Sequence, residues 1–201
     1  RTFTDLDFLV NTTENKNLSS KKTVFSFSYQ RGMGGADYQF VHSRWILFSE
    51  KGNFYFPEDN LNKFSMVKYS SEGKPLLTFR RDYNLKKYST EARNRFDRLY
   101  TNRGGDLTFP RHPPVVRRII EDERGYLWII SGETSRDNGV KGFKNTIDIF
   151  TENGKWVSSL KSDFLRPNMV FNNGKVYVLT PVDDISFEQY IDVYIINYLQ
   201  E

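Results

Sequence analysis

The chain has 201 residues, of which 38% are hydrophobic and 16% aromatic, and its formal net charge is +4. That length suits one domain or a large piece of one, and 12 Tyr, 17 Phe and 3 Trp exclude a disordered chain. No run approaches the roughly 18 apolar residues of a membrane span, the absence of Cys removes disulfides, thiolate zinc and a Cys nucleophile, and 29 basic against 25 acidic residues is too mild a bias for a dedicated nucleic-acid binder.

Taken in chain order, the sequence repeats two phrases. Residues 1–40 hold Thr4–Val10 and Lys22–Ser28, which read as the third and fourth strands of a half blade, followed by a Gly-rich lead-in. Residues 41–84 form the next unit. Trp45–Phe48, a turn at Gly52 and Asn53–Phe56 make a hairpin; Phe64–Tyr69, a turn at Gly73 and Lys74–Phe79 make a second. Residues 85–105 break the pattern. Leu85, Tyr88, Ala92, Phe96 and Leu99 recur at spacings of three and four, so a short amphipathic helix is expected between sheets, with Thr90 as N-cap and Gly104-Gly105 as its end.

Residues 106–163 repeat the unit: Val116–Ile130 folds about Glu121–Gly125, and Thr146–Phe150 returns through Gly154 to Trp156–Leu160. Ile147 and Ile149 alternating with Asp148 predict a half-buried strand. Residues 164–201 supply Met169–Leu179 around Gly174 and a third strand at Ile191–Ile196, with no fourth behind it. Two hairpins in about 40–50 residues are one propeller blade. The expected fold is therefore all-β: a β-propeller of four-stranded antiparallel blades, about three and a half of them present, with one inter-blade helix.

Three stretches carry a resemblance to a known family. They are Tyr29–Phe40, with its Gly-x-Gly-like run; Phe109–Trp128, with Pro-x-x-x-x and then Asp122-x-x-Gly125-x-x-Trp128; and the tail from Gly174. In these the chain resembles the bacterial six-bladed β-propeller family with NHL-like blades, over most of its length from Thr23 onward. Ala36-Asp37 departs from that family's lead-in. The resemblance implies the C-terminal portion of a six-bladed disc and a setting outside the cytoplasm: periplasmic, surface-bound or secreted, with a lipid anchor upstream as one form of it. The chain opens at Arg1 rather than Met, so a segment upstream is expected. A half disc exposes sheet edges, so a partner chain, a second copy, a larger parent or a compact four-bladed closure is expected to cover them.

Candidate chemistry is sparse. His42 and His112 are the only histidines, and neither belongs to a metal-ligand cluster. The acidic groups Glu121-Asp122-Glu123 and Asp183-Asp184 lack the alternating pattern of a calcium loop. Arg31–Gly35 lacks the Gly-Lys-Ser/Thr of a phosphate loop, and no Gly-x-Ser-x-Gly elbow occurs. No catalytic residue, metal or cofactor is assigned. Trp45 and Trp128 are expected between blades and Trp156 near a rim, while Asn11 and Asn17 open two sequons in a polar stretch.

The connections into successive inner strands carry His42 and Arg44, then Arg111, His112 and Arg118, then Arg166 and Asn168. If they converge at a channel mouth, they form a cationic site for a carboxylate, a phosphate or an acidic glycan. The expected function is thus a non-catalytic extracytoplasmic binding or scaffold module for a protein or an acidic ligand. The alternatives are a calcium-dependent hydrolase of the lactonase type, which the resemblance brings into view, and a structural subunit of a larger assembly.

Overall fold

The computed structural model describes residues 46–49, 51–58, 62–100, 111–166, 168–179 and 189–196. They form three antiparallel sheets and two helices. The first sheet runs β1 (Leu47–Phe48), β2 (Phe54–Pro57), β3 (Phe64–Tyr69) and β4 (Pro75–Arg81), paired in chain order. Helix α1 (Thr90–Tyr100) follows. The second sheet pairs β5 (Val116–Glu121), β6 (Leu127–Ser131), β7 (Asn145–Phe150) and β8 (Trp156–Ser162), again in order, with the one-turn helix α2 (Ser135–Asn138) between β6 and β7. The third holds β9 (Met169–Asn172), β10 (Lys175–Leu179) and β11 (Ile191–Ile195). The structure is thus mostly β, as the alternating patterns predict.

Four hairpins close through one recurring turn. In each, the first residue's N–H donates to the carbonyl four residues on: Ser49 to Asn53 (2.8 Å), Ser70 to Lys74 (2.9 Å), Asp122 to Tyr126 (3.0 Å) and Thr151 to Lys155 (2.9 Å). The glycine at position four donates back at 2.9 Å in all four. A Ser, Thr or Asp opens each turn because its side-chain oxygen accepts a further amide from within it. Asp122 goes further. Its Oδ1 takes the Arg124 and Tyr126 amides (3.0 and 2.9 Å) and its Oδ2 takes the Trp128 indole N–H (2.9 Å). That is the physical content of the Asp-x-x-Gly-x-x-Trp spacing: one buried carboxylate ties the turn to the large residue on the returning strand. The hairpin at Gly174 differs, being a two-residue turn with Asn173 and Gly174 both at positive φ (51° and 68°), the primed geometry that matches strand twist.

The repeated turn gives an internal control. A Cβ placed on Gly52 (φ +78°) would have no neighbour within 4 Å, whereas one on Gly154 (φ +74°) would meet Phe79 Cβ at 2.5 Å and its ring at 2.6 Å. Gly52→Ala should therefore cost about 1–2 kcal/mol, the left-handed backbone penalty alone. Gly154→Ala adds displacement of a buried ring, for about 3 kcal/mol in all. Urea unfolding of the two variants checks the ordering.

Two cores lie between consecutive sheets. Tyr55, Phe64, Met66 and Phe79 of the first sheet meet Val116, Ile119, Leu127, Ile129 and Phe150 of the second. Ile120, Trp128, Ile130 and Ile147 of the second meet Met169, Val176 and Val178 of the third. Strand β6 therefore feeds both, Leu127 and Ile129 to one side and Trp128 and Ile130 to the other, and every one of its residues is buried. A strand covered on both faces reads as an unbroken apolar run, which is why Leu127–Ile130 shows no polar alternation. The same coverage corrects the expectation of a half-buried β7. Asp148 is fully buried rather than on a wet face.

Helix α1 begins at Thr90, later than the Leu85 start of the apolar spacing, and is capped one residue earlier than expected. Its cap is Ser89, not Thr90: the Ser89 hydroxyl accepts the Ala92 amide at 3.1 Å. Tyr88, Ala92 and Phe96 form its buried stripe.

Candidate functional site

The short turns fall at one end of the sheets, since each joins β1 to β2, β3 to β4, β5 to β6 or β7 to β8. The long connections, of which residues 82–100 with α1 and 132–144 with α2 are described, fall at the opposite end, where the two helices pack on each other. The candidate site is this elaborated end.

Its frame is a polar lattice. A bulge in β5 between Val116 and Arg118 turns Arg117 toward the lattice. There the guanidinium donates to the Gly132 carbonyl (3.1 Å), the Tyr88 hydroxyl (2.9 Å) and Asp137 Oδ2 (2.5 Å). Asp137 also accepts the Thr134 amide and hydroxyl, both at 2.9 Å, which fixes the start of α2. Glu133 reaches the other helix. It accepts Ser89 N–H (2.7 Å), Ser89 Oγ–H (2.6 Å) and Asn138 Nδ2 (2.8 Å), acting as a capping carboxylate supplied from 44 residues away. Asn145 closes the lattice from β7, accepting the Ser135 amide (2.8 Å) and donating to the Leu165 carbonyl (2.8 Å).

Against that frame the expected site residues divide. Arg111 is exposed, and its carbonyl accepts the Tyr88 amide at 3.4 Å. His112 donates from Nδ1 to the Lys86 carbonyl at 3.1 Å. These two contacts lay Arg111 and His112 along Lys86–Tyr88. Arg118 sits within β5 on the side of Ile120, and burial pushes its guanidinium pKa down. Arg166 and Asn168 lie in the turn before β9. There Arg166 accepts the Met169 amide on its carbonyl (3.2 Å), and Asn168 donates to the Leu179 carbonyl (2.8 Å), extending the β9–β10 ladder. His42 and Arg44 lie outside the described residues, as do Trp45, both sequons and the Gly-rich lead-in. Trp128 is buried against Phe171, ring centroids 5.0 Å apart, and Trp156 is half exposed.

Lys86 and Lys87 belong to none of the expected site positions, yet they are exposed beside Arg111. With Arg93 and Arg98 on α1 they outnumber the exposed acids of the same connection, Asp82, Glu91 and Asp97. Their signal is the Lys-Lys pair just ahead of the helix. Among the described residues no group of three or more His, Cys, Asp or Glu could hold a metal, and no helix is long and apolar enough to cross a membrane.

Buried phenols give this end and the first core an alkaline limit. Burial pushes Tyr55 up to about 12, and pushes Tyr88 and Tyr83 up as well, from the ordinary 10. Above pH 10 the unfolded chain releases these protons while the folded one keeps them. The stability they confer is whole below pH 10 and is lost as pH rises toward 12. Unfolding free energy should fall between pH 10 and 12 with phenolate absorbance appearing on unfolding, and Tyr88→Phe should flatten the slope.

Compared with models of known families the chain matches none, and no curated protein matches it.

Proposed function

We propose that the three sheets are blades of a β-propeller that serves outside the cytoplasm as a non-catalytic binding or scaffold module, holding an acidic ligand or an acidic protein segment at the elaborated end. Face-to-face stacking of consecutive sheets supports the propeller. The single observation that carries the binding reading is the seating of Arg111 and His112 against Lys86–Tyr88. The neighbouring acids Glu133 and Asp137 are taken up inside the lattice, so the exposed cations outnumber the acids Asp82, Glu91 and Asp97 left on that surface. Rigid loops bearing exposed Lys and Arg suit carboxylate or phosphate recognition. Arg118, Arg166 and Asn168 are proposed to complete the site, while the expected members His42 and Arg44 lie outside the described residues.

The test is fluorescence anisotropy with a labelled polyglutamate peptide. The triple variant Lys86→Ala, Lys87→Ala, Arg111→Ala should bind at least about tenfold more weakly, with the salt dependence of binding reduced and unfolding unchanged. Equal affinity in parent and variant overturns the reading.

A further inference from the structure

The outer edge of the third sheet is built for a neighbour. β11 occupies the third-strand position, and its equivalents β3 and β7 each carry a fourth strand, β4 and β8, on that edge. Their residues are largely buried, whereas Ile191, Asp192, Val193 and Ile195 of β11 are exposed, Ile195 by 74%. Four of the five residues of β11 (Ile191, Val193, Tyr194 and Ile195, with Asp192 the exception) are those of an interior strand. By contrast, β8 carries Ser158, Ser159, Lys161 and Ser162.

The backbone of β11 points the same way. Ile196 donates to the Gly174 carbonyl at 3.0 Å, so its polar groups face β10. By alternation those of Tyr194 and Asp192 do too, and the N–H and C=O groups of Ile191, Val193 and Ile195 face outward. Among the described residues no strand pairs with that edge. An unpaired apolar edge of this kind is a template for strand addition.

We infer that a second copy of this chain fills that edge, β11 pairing antiparallel with β11 of the other copy about a twofold axis at Val193. The register is self-complementary. It sets Val193 on Val193, Ile191 on Ile195, and Asp192 on Tyr194. Asp192 is the only charged residue of the strand, and this register keeps the two carboxylates apart. Within one copy the Tyr194 hydroxyl already donates to Asp192 at 3.5 Å, so the same two groups meet again across the axis. All the outward N–H and C=O groups of the three apolar residues find partners. The interface continues the ladder that joins third to fourth strands in the other two sheets.

The absence of Cys makes the test direct. In the 201-residue chain carrying Val193→Cys, the two substituted positions sit about 5.5 Å apart between Cα atoms, within disulfide reach. With Ile195→Cys they lie four residues out of register, about 13 Å apart along the strand and beyond reach. Light scattering of the parent should give twice the chain mass, falling to one with Val193→Lys while the circular dichroism is kept. Mild oxidation should link Val193→Cys into a dimer and leave Ile195→Cys unlinked. A parent that stays monomeric at every concentration overturns the inference, since the edge is then left bare or filled by another protein or by the same chain. So does a dimer in which both variants, or neither, cross-link.

Discussion

Asp148→Ala should lower the unfolding free energy by about 3 kcal/mol, an amount set by what it leaves behind. The Asp148 carboxylate is fully buried and accepts Arg81 Nη1, the Ser159 hydroxyl and, at 3.2 Å, the Ser131 hydroxyl. Arg81 comes from β4 of the first sheet, so the pair crosses the first core. Its guanidinium lies over the rings of Phe64 and Tyr83, at 5.5 and 6.0 Å. Removing the carboxylate strands a cation among aromatics. Losing one partner of a buried pair costs about 3–5 kcal/mol, and the 26% exposure of the Arg81 side chain places this case at the lower end. The pair's net worth is a separate quantity. The double variant Arg81→Met, Asp148→Leu should return to within about 1 kcal/mol of the parent. Urea unfolding of the two single variants and the double variant decides it. A loss below about 1 kcal/mol for Asp148→Ala would mean that water reaches Arg81 freely.

Phe150→Ala should cost about 4 kcal/mol, within the range for deleting a buried aromatic ring. Phe150 is fully buried at the end of β7. Its ring stacks on Phe64 (centroids 5.3 Å, 21° between planes) and tilts against Phe79 (5.3 Å, 47°). Both partners belong to the first sheet, so truncation opens a cavity at the junction of two sheets rather than inside one. Against a typical net stability of about 5–15 kcal/mol, that loss leaves the chain marginal at about 37 °C. Phe150→Leu, which keeps most of the volume, should cost about half as much. Thermal unfolding of both variants checks the ratio, and equal losses would show that the stack rather than the volume matters.

Much of the sheet order is legible in the sequence because its signals are local. The turn at Glu121–Gly125, the apolar run before it and the indole three residues after it sit within one short stretch. Period and punctuation suffice there. The polar lattice is not legible for the opposite reason. Ser89 rather than Thr90 caps α1 because Glu133 arrives from the β6–β7 connection, and two adjacent hydroxyl residues are equivalent until that carboxylate is placed. Asp148 reads as the wet half of an alternating strand. Only the stacking of a second sheet on that strand, with Arg81 aimed at the carboxylate, shows why a charge sits in a core. At the candidate site, Arg111 and His112 are marked by their place in the chain. Lys86 and Lys87 are not, because a segment that precedes a helix gives no sign of which later strand entry it will touch.

Strand β6 lends residues to both cores and is paired along both edges. In an amide hydrogen-exchange experiment this makes it the last clock to start. Opening either flanking sheet still leaves the amides of Leu127–Ile130 bonded to β5 or β7. They should exchange only when the whole molecule unfolds, and their rate reports global stability. The amides of β1, at the edge of the first sheet, should trade with solvent far sooner. The middle of the molecule thus sets a single kinetic threshold, while the first sheet's edge opens at a lower one.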